Sequence, residues 1–274
     1  MFDTRNCRRF DEFLRYDAER SIGCNWNAIG MQFSDSESVS TMQRTPALLL
    51  FGGTGAIGRA IARAFDAWNW RVVAVSRRAG AGHLAWDPLE PADQAGGEAA
   101  AAQGPFDAVC WAQGMNANDS VYDVDLALHE RMYRANCAFV LASLRFLLDR
   151  GLLSKPSRLC VISSIWQDMA RQDKLSYSMT KAALRGLVLS AANDLGRDGH
   201  LINAVLPGVL ETPMTRANLS HAQIDKVTSG TQFGRLAELD DVARTVRFLC
   251  SPENTGVTGQ FIKVDLGFSD VRIL

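Results

Sequence analysis

Short apolar runs alternate with longer stretches of helical spacing from Pro46 to Val264, and this alternation constrains the fold more than any other feature of the chain. The runs are Leu48–Phe51, Arg71–Val75, His83–Trp86, Asp107–Trp111, Arg158–Ser163, Leu201–Leu206 and Gln260–Val264. Between them, Ile57–Trp68, Glu90–Gln103, Leu126–Leu148, Tyr177–Leu195 and Asp240–Cys250 read as helices, the second of them loose and Ala/Gly-rich. Strands alternating with helices of about 10–20 residues argue for βαβ units and a parallel sheet. The expectation is an α/β fold: a doubly wound, parallel, seven-stranded sheet with helices on both faces, in one domain over residues 46–274. Residues 1–45 show no such alternation. They read as an N-terminal extension, disordered or loosely packed, with the folded unit expected to begin near Met42.

Composition narrows the partners. Apolar residues are 47% and charged residues 22%, enough to build a core and too apolar for a disordered chain. With 29 Lys+Arg against 30 Asp+Glu, nothing in the charge points to nucleic acid. Apolar runs such as Ala47–Phe51 are far short of the about 20 residues of a membrane span. No CxxC pair occurs among the cysteines and the histidines make no ligand spacing, so no metal is expected. Reduced thiols and the lack of a visible secretory leader lead to the expectation of a cytoplasmic protein.

The first strand runs into Phe51-Gly-Gly-Thr-Gly-Ala-Ile-Gly58. A glycine turn between strand and helix lets the backbone approach a pyrophosphate, and the helix start offers free N–H groups and a positive dipole end. A tight turn made for structural reasons is the alternative. The second strand ends in Val75-Ser76-Arg77-Arg78, where a dinucleotide fold meets the adenosine ribose. An acid there takes the 2′-OH of NAD; an arginine suits the 2′-phosphate of NADP. Solvated surface arginines are the plainer reading. Farther on, Tyr177 and Lys181 stand four residues apart at the start of an Ala-rich helix, hence on one face. An ammonium beside a phenol favours the phenolate and brings it toward acid/base work. Ser163-Ser164 closes the preceding strand, at the sheet edge where ligands bind.

Over residues 46–269 these motifs together resemble the short-chain dehydrogenases/reductases. Gly52-x-x-x-Ala56-x-Gly58 is similar to that family's TGxxx[AG]xG turn, with Phe51 in place of the Thr. Asp87 stands where the family has an acid that contacts adenine. Trp111-Ala112-Gln113-Gly114 falls where the family has Asn-Asn-Ala-Gly; the glycine is kept and both amides are lost. Pro207-Gly208-x-x-x-Thr212 resembles the PGxxxT turn beside the nicotinamide, and Val264-Asp265-Leu266-Gly267 the closing VDGG.

The resemblance implies hydride transfer between NADP(H), less so NAD(H), and a carbonyl/alcohol pair. Tyr177 would be the general acid or base, Ser164 would hold the substrate oxygen, and Lys181 would bind the nicotinamide ribose. Asn136 would place a water that feeds protons to Lys181. Cofactor contacts would come from Gly52, Thr54, Gly55, Ala56, Ile57, Gly58, Ser76, Arg77, Arg78, Asp87, Ala112, Gln113, Gly114, Tyr177, Lys181, Pro207, Gly208, Val209 and Thr212. The segment Gly234–Asp241 and the stretch Thr258-Gly-Gln260 resemble 3-oxoacyl-acyl-carrier-protein reductases. The substrate is therefore expected to be a small carbonyl or alcohol compound, with a carrier-bound acyl group among the options. A sugar, polyol or other secondary-alcohol dehydrogenase is the alternative, and a non-catalytic NADP-binding regulator a remoter one. The pocket would be built from the segment between Ser164 and Tyr177, with Trp166, Met169, Gln167, Asp168 and Arg171, and from a lid over Thr212–Gln232 that includes Met214. The two long helices permit a homodimer or, with the last strand, a homotetramer.

Overall fold

A computed structural model describes residues 44–271 apart from 79, 81, 91, 92, 213, 214, 217 and 218. The expectation of an N-terminal extension, with Met42 as the start of the folded unit, lies outside these residues, as does Met214.

Seven strands form one parallel sheet in the order β3-β2-β1-β4-β5-β6-β7. They are β1 (Ala47–Phe51), β2 (Arg71–Ser76), β3 (Leu84–Ala85), β4 (Phe106–Trp111), β5 (Leu153–Ile162), β6 (Leu201–Pro207) and β7 (Phe261–Val264). Every residue of β1 is fully buried, as a central strand covered on both faces requires. The helices are α1 (Ala56–Asp66), α2 (Gln94–Ala101), α3 (Leu126–Tyr133), α4 (Phe139–Asp149), α5 (Leu175–Gly196), α6 (His221–Ser229) and α7 (Leu239–Cys250). Two cores result, one on each face of the sheet. One packs Leu49, Phe51, Val109 and Trp111 against α4 and α5. The other packs Leu48, Leu50 and Cys160 against α1 and α7.

Three details differ from the sequence reading. The helix expected over Leu126–Leu148 is interrupted by a π-helical turn, Arg134–Ala138, which carries Asn136. Strand β5 begins at Leu153 rather than Arg158, because Leu153 already pairs with Phe106 of β4 and the segment with Pro156 is taken up in a register shift before Arg158 pairs with Ala108. Within the expected lid, Ser220 and Gln223 form a capping box and start α6.

The sheet order turns back between β1 and β4. Strands to one side run β1-β2-β3 and those to the other β4-β5-β6-β7, so the loops leaving β1 and β4 part and open a crevice at their carboxyl ends. Two of the departures from the family motif lie here. Phe51 ends β1 and Trp111 ends β4, and their rings stack at 6.0 Å and 4°. Phe139 and Trp86 each meet Phe51 at 5.5 Å, and Trp111 Nε1 donates to Ser143 Oγ at 2.8 Å. Aromatic packing thus joins the two strand ends where the motif's Thr and first amide are replaced.

Candidate active site

The glycine turn leaves β1 and enters α1 with no room for side chains. A Cβ on Gly58 would stand 2.2 Å from the Gly52 carbonyl oxygen, and one on Gly52 2.5 Å from the Gln113 backbone nitrogen. Gly52 also adopts φ +75°, a conformation that favours glycine. Helix α1 starts at Gly55 without a side-chain cap, so its first N–H groups remain open to an anion. A cavity of 220 Å³ follows the turn, lined by Gly52, Thr54, Gly55, Ser76, Arg77 and the Ala112–Gly114 segment, among others. Arg77 is exposed on its rim. The Gln113 amide is buried with neither atom hydrogen-bonded among the described residues. Bare glycines, open helix N–H groups and an arginine fit a dinucleotide phosphate backbone.

A second cavity, 340 Å³, runs from Gly55, Ala56 and Ile57 past Ala112 to Ser164 and Tyr177, with Gly208, Val209 and Thr212 on its wall. Residues carried on four separate strand ends therefore converge there. Ser164 lies after β5 and caps the turn Ile165–Gln167, its Oγ accepting from Trp166 N at 3.3 Å. Tyr177 sits in the first turn of α5. Lys181, one turn on, is 4% exposed; its Nζ donates to Ile162 O at 3.0 Å and lies 5.5 Å from the centre of the Tyr177 ring. Burial pushes the lysine down to about 8, with the Cys137 thiol working weakly against it. The tyrosine moves opposite to the sequence expectation. Burial raises it above its ordinary value, and only the Ser164 hydroxyl works the other way. A phenol withdrawn from water keeps its proton unless a full positive charge stands beside it, and Lys181 is itself losing charge to burial.

Asn136, 1% exposed, is held on three sides. Its Nδ2 donates to Met115 O and to Thr180 Oγ1, both at 2.9 Å, and its Oδ1 accepts from Met115 N at 2.6 Å. Both donors are committed, so the side chain ties the loop after β4 to α5 and keeps one oxygen lone pair for the implied water. Other expected residues stand apart from the cavity linings. Asp87 Oδ1 accepts from Leu89 N at 3.0 Å within its own turn. Arg78 takes the Ser76 hydroxyl on its carbonyl at 2.5 Å. Pro207 ends β6 and Gly58 packs under the turn. Thr212, by contrast, is on the wall of the second cavity, and its Oγ1 is engaged with Thr215, its N–H at 3.0 Å and its hydroxyl at 2.9 Å. Of the expected pocket residues, Trp166 and Arg171 line the cavity. Met169 packs on the core, Gln167 bonds Ser163, and Asp168 stands within 3.8–3.9 Å of Arg185 and Lys263. Lys174, Asn116 and Thr215 line it and were not singled out from the sequence. Lys174 lies inside the segment between Ser164 and Tyr177 that was expected to build the pocket, and Thr215 inside the expected lid; Asn116 lies in neither. Among the described residues no cluster of metal-ligating side chains occurs.

A family model described as enoyl-(acyl carrier protein) reductase matches residues 53–269, most of the chain. The chain belongs to the short-chain dehydrogenase/reductase family. It is an enzyme that acts on CH–OH or carbonyl groups with a nicotinamide cofactor. An uncharacterized oxidoreductase of Bacillus subtilis, YmfI, is 29% identical over 60% of this chain and 67% of its own length. The human (3R)-3-hydroxyacyl-CoA dehydrogenase is 38% identical over 39% of this chain, spanning 40% of that enzyme. A gluconate 5-dehydrogenase from Burkholderia cenocepacia, solved with NADP and tartrate, shares the fold. Its TM-score is 0.75 at 24% identity, covering 82% of this chain and 96% of that one.

Proposed function

We propose that this short-chain dehydrogenase/reductase is an NADP(H)-dependent carbonyl reductase in which Asn136, Ser164, Tyr177 and Lys181 carry the reaction. The observation behind this is that Ser164 and Tyr177 meet in the cavity that starts at the glycine turn. The bound dinucleotide supplies or accepts the hydride. Tyr177 Oη gives a proton to the carbonyl oxygen in reduction and takes it back in oxidation. Ser164 Oγ holds the same oxygen. Lys181 has donors left beyond the one to Ile162 O for a ribose hydroxyl, and a value near 8 lets it exchange protons close to neutrality. Asn136 keeps the loop after β4 and α5 in register. NADP over NAD is supported by Arg77 and Ser76 on the rim of the first cavity, with no acid at the end of β2.

The likeness to 3-oxoacyl reductases and to the human 3-hydroxyacyl enzyme supports a 3-oxoacyl-type substrate. Sugar or polyol oxidation is the second reading, favoured by Asn116, Asn118 and Thr215 in the adjoining cavity. A homodimer or homotetramer is supported by the apolar groove between α4 and α5. Four buried free thiols among the described residues suit a reducing, cytoplasmic setting.

The test is Tyr177→Phe, read by NADPH absorbance on a carbonyl panel and by NADPH fluorescence titration. General acids contribute roughly 10²–10⁴-fold, so turnover falls by that order while the cofactor still binds. Near-full reductase activity in this variant overturns the assignment.

A further inference from the structure

Arg171 and Lys174 line both the 340 Å³ cavity that holds Ser164 and Tyr177 and an adjoining cavity of 620 Å³. Among the described residues that line the two cavities there is no Asp or Glu. Arg171 is half-buried, its guanidinium 5.9 Å from the centre of the Trp166 ring, and it has no ion pair among the described residues. Lys174 is 7% exposed. Its Nζ donates to Asn116 Oδ1 at 2.9 Å, Ala117 O at 3.1 Å and Asn118 Oδ1 at 2.5 Å. All three acceptors are neutral, so the charge is hydrogen-bonded but not cancelled by contact. Asp119 and Asp173 act on it only across space; Asp119 Oδ1 accepts from Ser176 N at 2.9 Å. The Lys174 ammonium lies 5.9 Å from the centre of the Tyr177 ring, beside the proposed proton donor. Two cations in a half-closed wall without a carboxylate are costly to keep unless an anion meets them.

We propose that the substrate is an anionic carbonyl compound, with a carboxylate or phosphate group carried a few bonds from the reacting carbon. Its oxyanion sits on the Arg171 fork in the field of Lys174, and its carbonyl oxygen reaches Tyr177 and Ser164. This rests on the hydride-transfer reading. The carbonyl carbon gains a hydride from the reduced dinucleotide, leaving that oxidised, and the oxygen gains the Tyr177 proton; the anionic group is unchanged. A carrier-bound acyl chain fits this less well, since its nearest phosphate lies at the far end of a pantetheine arm.

The test uses matched pairs, acetoacetate against methyl acetoacetate and dihydroxyacetone phosphate against dihydroxyacetone, with wild type, Arg171→Gln and Lys174→Gln. NADPH affinity is titrated by fluorescence. Malonate and inorganic phosphate are titrated calorimetrically into the protein–NADP⁺ complex. The expected result is a higher kcat/KM for the charged member of a pair, a preference that Arg171→Gln shrinks about 10–100-fold, the range of a hydrogen bond to a charged group. NADPH affinity holds, and the pair preferred, with malonate or phosphate, tells carboxylate from phosphate. Equal kcat/KM within both pairs overturns the proposal. So does an Arg171→Gln enzyme whose NADPH affinity falls as steeply as its substrate affinity, because the cations then serve the dinucleotide. If no pair turns over, Arg171-dependent malonate or phosphate binding upholds the anion site and the hydride-transfer reading falls instead. No turnover and no anion binding overturns the anion site.

Discussion

Lys181 is a lysine without a carboxylate, and its buried position makes a testable demand on stability. Unfolded, it keeps its proton up to an ordinary value of 10.5; folded, it gives it up at about 8. Between those values the unfolded state binds more protons, so stability rises with pH. Tyr177, raised by burial from 10.0, acts the other way above that point, because the folded phenol then holds a proton the unfolded one has lost. The cofactor-free protein is therefore expected to gain stability relative to Lys181→Met from pH 8 to 10, read as the difference between their urea midpoints, which cancels the buried thiols common to both. At the other end of the crevice, the proposed preference for NADP rests on Arg77. A charge-assisted contact is worth roughly 1.5–3 kcal/mol, so Arg77→Asp is expected to cut the NADP⁺/NAD⁺ affinity ratio by about 10-fold or more. Equal binding of the two dinucleotides by the unaltered protein would sink that assignment. Ser164, Tyr177 and Lys181 were legible in the sequence because strand end and helical spacing determine their faces. Lys174 was legible only as part of the segment before Tyr177 and Asn116 not at all, because they reach the cavity on irregular segments whose course no periodicity reports. The direction of the tyrosine shift was equally hidden, since spacing shows the neighbouring ammonium but not its desolvation.

At the scale of elements, the ends of β1 and β4 are held by the stacked rings of Phe51 and Trp111, where the family has a Thr and a side-chain amide, and the two departures make one unit. Trp111 is fully buried and its indole N–H has Ser143 Oγ as partner. Trp111→Ala is expected to cost about 3–5 kcal/mol of unfolding free energy, as for other buried aromatics. Ser143→Ala removes a smaller group but leaves a buried N–H unpaired, about 1–3 kcal/mol. Urea denaturation of both variants checks this, and a Ser143→Ala protein as stable as the parent would show that the hydrogen bond contributes nothing. Most elements could be read in advance, because buried parallel strands are continuous apolar runs and amphipathic helices repeat at 3.6. The exceptions have physical reasons. The π-helical turn at Arg134–Ala138 contains no Gly or Pro to announce it. The start of β5 is polar and holds Pro156, which reads as a break. Helix α6 buries only Ile224, too little for a periodic signal, although its capping box was there to be seen.

For the whole molecule, one residue carries information about assembly that the single chain does not explain. Gly186 lies in the middle of α5, exposed, where a glycine costs about 1 kcal/mol relative to alanine. A Cβ built there meets nothing within 4 Å, so no neighbour in its own chain requires the glycine. It lies on the 500 Å³ groove formed with α4, beside Leu187 and Ala191, and Leu141 in that groove is 60% exposed. A second copy of the chain laid across α4 and α5 would account for both the missing side chain and the uncovered leucine. The two explanations separate on substitution. If the chain works alone, Gly186→Ala adds helix propensity without a clash, and thermal stability rises while the mass in solution is unchanged. If two copies pack here, the added methyl groups hold the helices apart. Gly186→Leu then shifts sedimentation velocity toward the monomer, and Leu141→Glu does the same by placing charge in the contact. A parent protein that sediments as a monomer at every concentration tested would remove the assembly reading and leave Gly186 without a function.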